Sequence, residues 1–352
     1  MECCCYFHYM TMGLKGTINF KYFVGIDVGK NNLDFAVLSR QGIITQKQIP
    51  NNRTSIRDYL ISLQQGNKCR PSYTVFCMEQ NGIYCNHAIS EIMRFKSNVV
   101  IDNPLQIRNS LGILRSKNDK IDAVRIAEYA ILNERKLRIR SPRRPVIERL
   151  AQLSALRGQL QKILISLTSP LNEIAAFSAK QNARSLRVLC GESVSAVTKD
   201  LKNIKVEIQL LIDQDAPVSR YMHLMMSVPF VGIETAIQVL ITTNEFKDIN
   251  NAKKFACYAG VVPFVKQSGT YTSKAKVSAI SSRKLKKLLH LCAIGSLRGK
   301  GELRMYYDRK VKEGKNKMAV LNAIRNKIVH RIFACINQDR LFESIVRAGP
   351  AF

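Results

Sequence analysis

The chain has 352 residues, with 55 Lys and Arg against 26 Asp and Glu, a formal charge of +29 and a pI near 9.9. So large a surplus repels itself unless it lies against a polyanion, and nucleic acid is the natural one. At 46% hydrophobic the chain can bury a core and divide into two or three domains, which excludes a disordered basic tail.

No apolar run approaches the roughly eighteen residues of a membrane span, so no membrane partner is expected. The ten cysteines are scattered apart from Cys3, Cys4 and Cys5. They form no C-x-x-C pair, which argues against a zinc ribbon or a disulfide framework and for reduced cytoplasmic thiols. The opening "MECCCYFHYM" lacks a basic n-region and a cleavage site. Residues 1–21 are expected to be a disordered or extraneous N-terminus, with Met10 or Met12 as alternative starts.

In chain order, "YFVGIDV", "LDFAVLS" and "GIITQKQI" are β-rich runs separated by turn residues, the pattern of an antiparallel meander. "RTSIRDYLISLQQ" has helical spacing, "YTVFCMEQNG" is a buried strand and "YCNHAISEIMRF" is helical. "SNVVID" is a strand, and "SKNDKIDAVRIAEYAILNERK" a helix. The order βββαβαβα is that of the ribonuclease-H-like fold, expected over residues 22–140.

That order gives the acids meaning. Asp27 lies within an apolar strand, where an isolated carboxylate is costly unless it meets a cation or caps the following turn. Glu79 ends the fourth strand. Asp119 and Asp122 stand three apart on one helix face. Singly, Glu79 could cap a turn, and Asp119 and Asp122 could be the acidic first turn of a helix. Together, on elements this fold brings side by side, the four carboxylates form a hard-oxygen site suited to Mg²⁺, with two ions able to clamp a phosphodiester.

After the Arg- and Pro-rich "RIRSPRRPV", a helical segment is expected over residues 146–215. Val146, Leu153, Leu160 and Leu167 share one heptad position; Leu150, Leu164 and Leu171 share the other, interrupted by Arg157 and bounded by Pro170. Val194, Val197, Leu201, Ile204, Ile208 and Leu211 supply an antiparallel partner, in a hairpin within one chain or a coiled coil between chains. A third, mainly helical domain is expected over residues 216–340, with a tail over 341–352. It opens on "MMSVPFVGIETAIQVL", either a helix-hairpin-helix phosphate contact or a plain helix-helix turn.

From Ile249 to Gly301 there is no Asp or Glu. Lys266, Lys274, Lys276, Arg283, Lys284, Lys286 and Lys287 lie in this stretch and are the expected nucleic-acid contacts. Within it, Ser268-Gly269 reads by residue type as a turn, and serine is a weak nucleophile without help.

The motifs "GIDVGK", "CMEQNGIY" and "RSKNDKIDA", followed by "YAGVVPFVKQSGT", resemble those of the DEDD-type insertion-sequence transposases, whose relatives include the pilin-gene invertases. The resemblance spans residues 23–309. It implies a Holliday-junction-resolvase-like (RuvC-like) amino-terminal domain with the acids Asp27, Glu79, Asp119 and Asp122, and a carboxy-terminal domain in which Ser268 is the nucleophile. It further implies a transposase or recombinase acting on double-stranded DNA, both donor and target. The enzyme would be assembled as a homodimer or homotetramer, guided by a structured RNA, and located in the cytoplasm with the nucleoid. The family's usual Gly before the helix of "ISSRKLKKLLHLCA" is Ser here.

Three other readings share parts of this pattern. A metal-dependent junction nuclease using activated water needs the four acids but not Ser268. "GIDVGK" also resembles the first phosphate loop of sugar kinases and actin-like ATPases, but no second Gly-rich loop follows. An inactive packaging relative would need neither acids nor serine.

Overall fold

Strands β1 (Tyr22–Val28), β2 (Asn32–Ser39) and β3 (Gly42–Pro50) form the expected antiparallel meander. β1 and β2 are almost wholly buried, which is why they read as continuous apolar runs. β3 is an exposed edge, and Gln46, Lys47 and Gln48 keep it polar. The computed structural model describes residues 19–66, 69–110, 119–177, 180–265, 267–278, 281–299 and 301–343, without the side chains of residues 119, 120, 180 and 183.

Helix α1 (Arg53–Gly66) buries Ile56, Tyr59, Leu60 and Leu63 at helical spacing. Next come β4 (Thr74–Glu79), α2 (Asn86–Arg94), β5 (Asn98–Asp102), α3 (Pro104–Ser110) and α4 (Asp119–Leu132). The sheet order is β3-β2-β1-β4-β5, with β4 parallel to β1 and β5 parallel to β4. This is a ribonuclease-H-like sheet. Helix α3 was not expected from the sequence, because its seven residues are too few to display a period.

The α1 and α2 side of the sheet carries a core of Val24, Ile26, Phe35, Tyr59 and Ile92. The α4 side holds Phe23, Val75 and Tyr129, continued by Ala36, Ala123 and Ala127. Gly25 allows α4 to lie close on β1. A Cβ at that position would fall 2.0 Å from the Ala123 carbonyl oxygen and 2.5 Å from the Ala127 nitrogen.

The chain divides into two compact units between Pro142 and Arg143. The second unit starts with α5 (Pro145–Phe177) and α6 (Lys180–Asp213), packed as a hairpin within the chain. Arg149 pairs with Glu207 near one end and Arg187 with Asn172 toward the other, so the two run antiparallel. One expectation is corrected here, because α5 does not stop at Pro170 but runs through it to Phe177. A mid-helix proline costs about 3 kcal/mol. Leu164, Leu167 and Leu171, half-buried along the hairpin, help offset that cost. Arg157, which breaks the heptad, pairs with Glu234.

The base of the hairpin, Ile147, Leu150, Leu153, Ile204, Ile208 and Ile212, belongs to the main core of this unit. The remaining helices are α7 (Ala216–Ser227), α8 (Ile233–Thr243) and α9 (Ala252–Tyr258), then α10 (Arg283–Gly295), α11 (Glu302–Lys312) and α12 (Lys317–Gln338). α12 buries Ile324, Ile328, Val329, Ile332 and Phe333 at its centre. Between α9 and α10 lie four two-residue strands: β6 (Pro263–Phe264), β7 (Gln267–Ser268), β8 (Tyr271–Thr272) and β9 (Lys276–Val277).

In the α7–α8 turn it is Phe230, with φ 70°, that takes the left-handed conformation, while Gly232 is extended. Arg144 ties three elements of this unit together. Its guanidinium donates to both oxygens of Asp215, the N-cap of α7, at 2.8 and 2.9 Å, and to Glu245 beyond α8 at 2.9 and 3.0 Å. Among the described residues no disulfide joins the cysteines, and no helix is long and apolar enough to cross a membrane.

Candidate active site

The pairing of the sheet puts carboxylates in a row. Asp27 on β1 lies opposite Asp34 on β2, and Asp34 lies opposite Gln48 on β3. Ile26 pairs with Met78, so the next position on each strand sets Asp27 beside Glu79, and Glu79 pairs with Asp102 on β5. Registered neighbours share a face. Gly25, two residues before Asp27, touches α4, so the row Asp34, Asp27, Glu79, Asp102 lies on the α4 side.

The outer two carboxylates are held by neutral donors. Asp34 is only 7% exposed and accepts from Gln48 Nε2 at 3.1 and 3.0 Å. Asp102 Oδ2 accepts from Tyr129 Oη at 2.6 Å and Gln106 Nε2 at 3.2 Å. Burial drives the Tyr129 phenol far up, and Asp102 adds to the effect.

The inner pair is half-buried, at the centre of the row. Burial first, and then the charge of Asp122, push the Glu79 carboxyl above its ordinary range. α4 thus brings Asp122 within electrostatic reach of Glu79, and Arg125 Nη1 donates to Asp122 Oδ1 at 2.8 Å. Asp119 is the first residue of α4, one turn before Asp122, and its side chain lies outside the described residues. Among the described residues no three His, Cys, Asp or Glu side chains close on a common point suited to a metal ion.

The loops beneath these acids are fastened to one another. Asn81 Nδ2 donates to the Val28 carbonyl at 2.5 Å. Asn51 Nδ2 donates to the carbonyls of Gly29 and Tyr84 at 2.9 and 3.0 Å. The Cys85 thiol donates to the Glu79 carbonyl at 3.3 Å. The ends of β1 and β4 are thereby fixed side by side. Asp34 and Asp102 were not among the residues expected at the site, although an Asp inside the apolar run "NLDFAVL" was a signal for the first.

In the second unit Ser268 is exposed on β7, paired with Tyr271 on β8 across a tight turn. Gly269 has φ 55°, which favours glycine at the residue after the serine. Lys274, Lys276, Arg283 and Lys287 are exposed and Lys286 is half-buried. Lys284 is likewise exposed; its Nζ donates to Ser154 Oγ at 2.9 Å, and partial burial of the ammonium lowers its pKa. Lys266 lies outside the described residues.

A sheet of this order with acids at its two central strands is the arrangement of polynucleotide-processing enzymes of the ribonuclease-H-like class. Two family models match the chain in order: a DEDD IS110 transposase model over residues 24–175 and the Transposase IS116/IS110/IS902 family over residues 222–308. The pilin gene-inverting protein of Moraxella bovis is 24% identical over 330 residues, 92% of this chain and 98% of the relative. The uncharacterized 43.6 kDa protein of insertion element IS110 from Streptomyces coelicolor is 28% identical over 157 residues, 45% of this chain and 38% of the relative. Among solved structures, Thermus thermophilus RuvC is 12% identical with a TM-score of 0.28, over 34% of this chain and 99% of that chain. The two models together take in more than half of the chain, which belongs to the IS110-type transposases, enzymes of DNA recombination.

Proposed function

We propose that this protein cuts and rejoins double-stranded DNA at the ends of a mobile element and at its target, with Ser268 as nucleophile and Asp27, Glu79, Asp119 and Asp122 as ligands of Mg²⁺, most simply two ions. The observation that carries this reading is the placement of Asp27 and Glu79, each one residue beyond the Ile26–Met78 pair on neighbouring strands, with Asp122 raising the electrostatic cost of Glu79's charge. The donor set fits a hard divalent cation, being carboxylate oxygen throughout. Bound there, the cation supplies positive charge for the phosphate oxygens of the reacting group.

The chain's own residues do the rest. Ser268 Oγ loses its proton and bonds to phosphorus while a strand P–O bond breaks, leaving phosphoserine on one DNA end and a hydroxyl on the other. The surrounding lysines and arginines hold the backbone in place. A structured guide RNA and assembly as a homodimer or homotetramer complete the proposal; the +29 charge supports a polyanionic partner without choosing between DNA and RNA. Sequencing RNA that copurifies with the protein tests the guide, with a discrete structured species expected and only bulk cellular RNA counting against it.

Ser268→Ala tests the chemistry. A wild-type reaction quenched with denaturant leaves protein attached to a DNA end, and the variant folds and binds but leaves none. Cutting retained in the variant, with no adduct in either protein, indicates a junction nuclease that activates water.

A further inference from the structure

We propose that α10 is a track for phosphodiester groups that ends at His290, and that the buried guanidinium of Arg325 on α12 holds His290 in the tautomer that donates to such a group. The inference rests on the reading that the basic segment binds nucleic acid. Arg283, Lys286, Lys287 and His290 stand at spacings of three, four and seven on one face of α10, so the stripe runs about 10 Å along the helix. The opposite face, Leu285, Leu289, Cys292 and Ala293, is buried in the core. Nothing in the sequence set His290 apart from that core, because the residue type alone does not say which ring nitrogen is engaged.

The structure supplies that information. Arg325 Nη2 lies 2.7 Å from His290 Nδ1. A guanidinium only donates, so Nδ1 accepts and the neutral ring carries its proton on Nε2. Burial and the Arg325 charge both hold the imidazole below its ordinary range, which keeps it neutral. Among the described residues Nε2 has no partner, and it is not closed off from solvent.

Arg325 is the unusual member. It is 6% exposed, yet no carboxylate pairs with it among the described residues. Its further contact, to Asn322 Oδ1, is long at 3.4 Å, and its Nε has no partner. A buried cation left in this state costs stability, and an anion drawn to His290 Nε2–H would supply the missing compensation. The same turn of α12 also anchors the loop that leads to the Ser268 hairpin, through Asn322 Nδ2 to the Val261 carbonyl at 2.7 Å.

The test measures binding of the full chain to a short labelled DNA duplex and to a structured RNA, alongside thermal unfolding, for wild type, His290→Ala, His290→Gln and Arg325→Met. His290→Ala and Arg325→Met should weaken binding by about tenfold to a hundredfold, the worth of a hydrogen bond to a charged group. His290→Gln should recover most of the loss, because it keeps a donor. Arg325→Met should melt no lower than wild type, since it removes an uncompensated charge. Loss on one nucleic acid alone names the source of the phosphodiester.

Wild-type binding with all three variants equal to it overturns the inference and leaves the basic-segment reading standing. A lower melting temperature for Arg325→Met, with His290→Ala binding as wild type, assigns Arg325 a purely structural role and also overturns it. If Arg325→Met does not fold, the two His290 variants decide. Wild type that binds neither nucleic acid removes the reading beneath it as well.

Discussion

Glu79 differs from other shielded carboxylates of this chain in what answers its charge. Asp34 has Gln48, Asp102 has Tyr129 and Gln106, and Glu245 has Arg144 and Lys247. For Glu79, burial and Asp122 both act against ionisation. A carboxylate in that setting is matched to a cation brought from outside. Asp27→Asn or Glu79→Gln is therefore expected to lower strand cleavage by about a thousandfold or more, because several kcal/mol of charge stabilisation is lost. Binding of nucleic acid should stay near wild type, since the basic residues lie elsewhere in the sequence. Quantifying cleaved ends and gel-shift affinity on the same preparations checks both halves, and a double variant that still cuts removes these acids from the mechanism. Asp27 was legible in the sequence as a candidate because a charge inside an apolar strand is anomalous, and Glu79 because it ends a strand that this fold places beside the first. Asp102 was not, since an Asp closing a strand before Asn-Pro is an ordinary turn residue; only the register reveals that it continues the row.

At the scale of elements, α4 has to approach β1 closely enough to bring Asp122 to the sheet, and Gly25 is what permits it. Gly25→Ala would drive a methyl group into backbone atoms of α4, which cannot rotate aside as a side chain would. A destabilisation of about 3 kcal/mol is expected, at the upper end of ordinary overpacking. Thermal unfolding should register it, and cleavage should fall with nucleic-acid binding unchanged; an undisturbed melting curve would sink the claim that the contact is tight. Most of the alternation of strands and helices in this unit was readable because the buried strands are short apolar runs bounded by turn residues and the longer helices carry a helical period. The run through Pro170 was not, because a local rule for proline cannot weigh the packing of a 33-residue helix against a partner further along the chain.

The Arg144 junction is a second case at this scale, joining the start of α5, the cap of α7 and the end of α8. Hydrogen bonds from Arg144 hold the Asp215 carboxyl below its ordinary range. For Glu245, which is 3% exposed, burial pushes upward, and Arg144 and Lys247 more than reverse it, so this carboxyl too is lowered. A folded pKa below the unfolded value, about 4 for these groups, gives stability that is present above it and lost as pH falls through the folded value. Arg144→Met should thus melt well below wild type at neutral pH, and the gap should narrow as the pH drops below about 4. A gap independent of pH would show that Arg144 acts through packing alone. Nothing in the sequence marked this junction, because its three members are separated by up to 101 positions.

For the molecule as a whole the dominant physical fact is its charge of +29, joined to a stretch from Ile249 to Gly301 that contains no acid at all. Two effects could make such a chain bind nucleic acid: counterion release along the phosphate backbone, or docking of apolar and polar groups against bases and sugars. They differ in salt dependence. If the first dominates, log K falls linearly with log salt with a slope near −0.9 for each phosphate neutralised, and six to ten contacts cost about 10³ to 10⁵ in affinity between 50 and 200 mM. That steep response is expected for duplex DNA. Single substitutions should divide the slope among residues. Lys287→Ala removes an exposed charge from the outer face of α10 and should make the slope shallower by about 0.9. Lys284→Ala should make the slope shallower as well, because its exposed ammonium keeps its charge while donating to the neutral Ser154 Oγ at 2.9 Å, and should in addition lower the melting temperature. Titrations at four or five salt concentrations separate the outcomes. A flat response for wild type would move the binding energy from the phosphates to the bases, and slopes equal to wild type in both lysine variants would take α10 out of the interface.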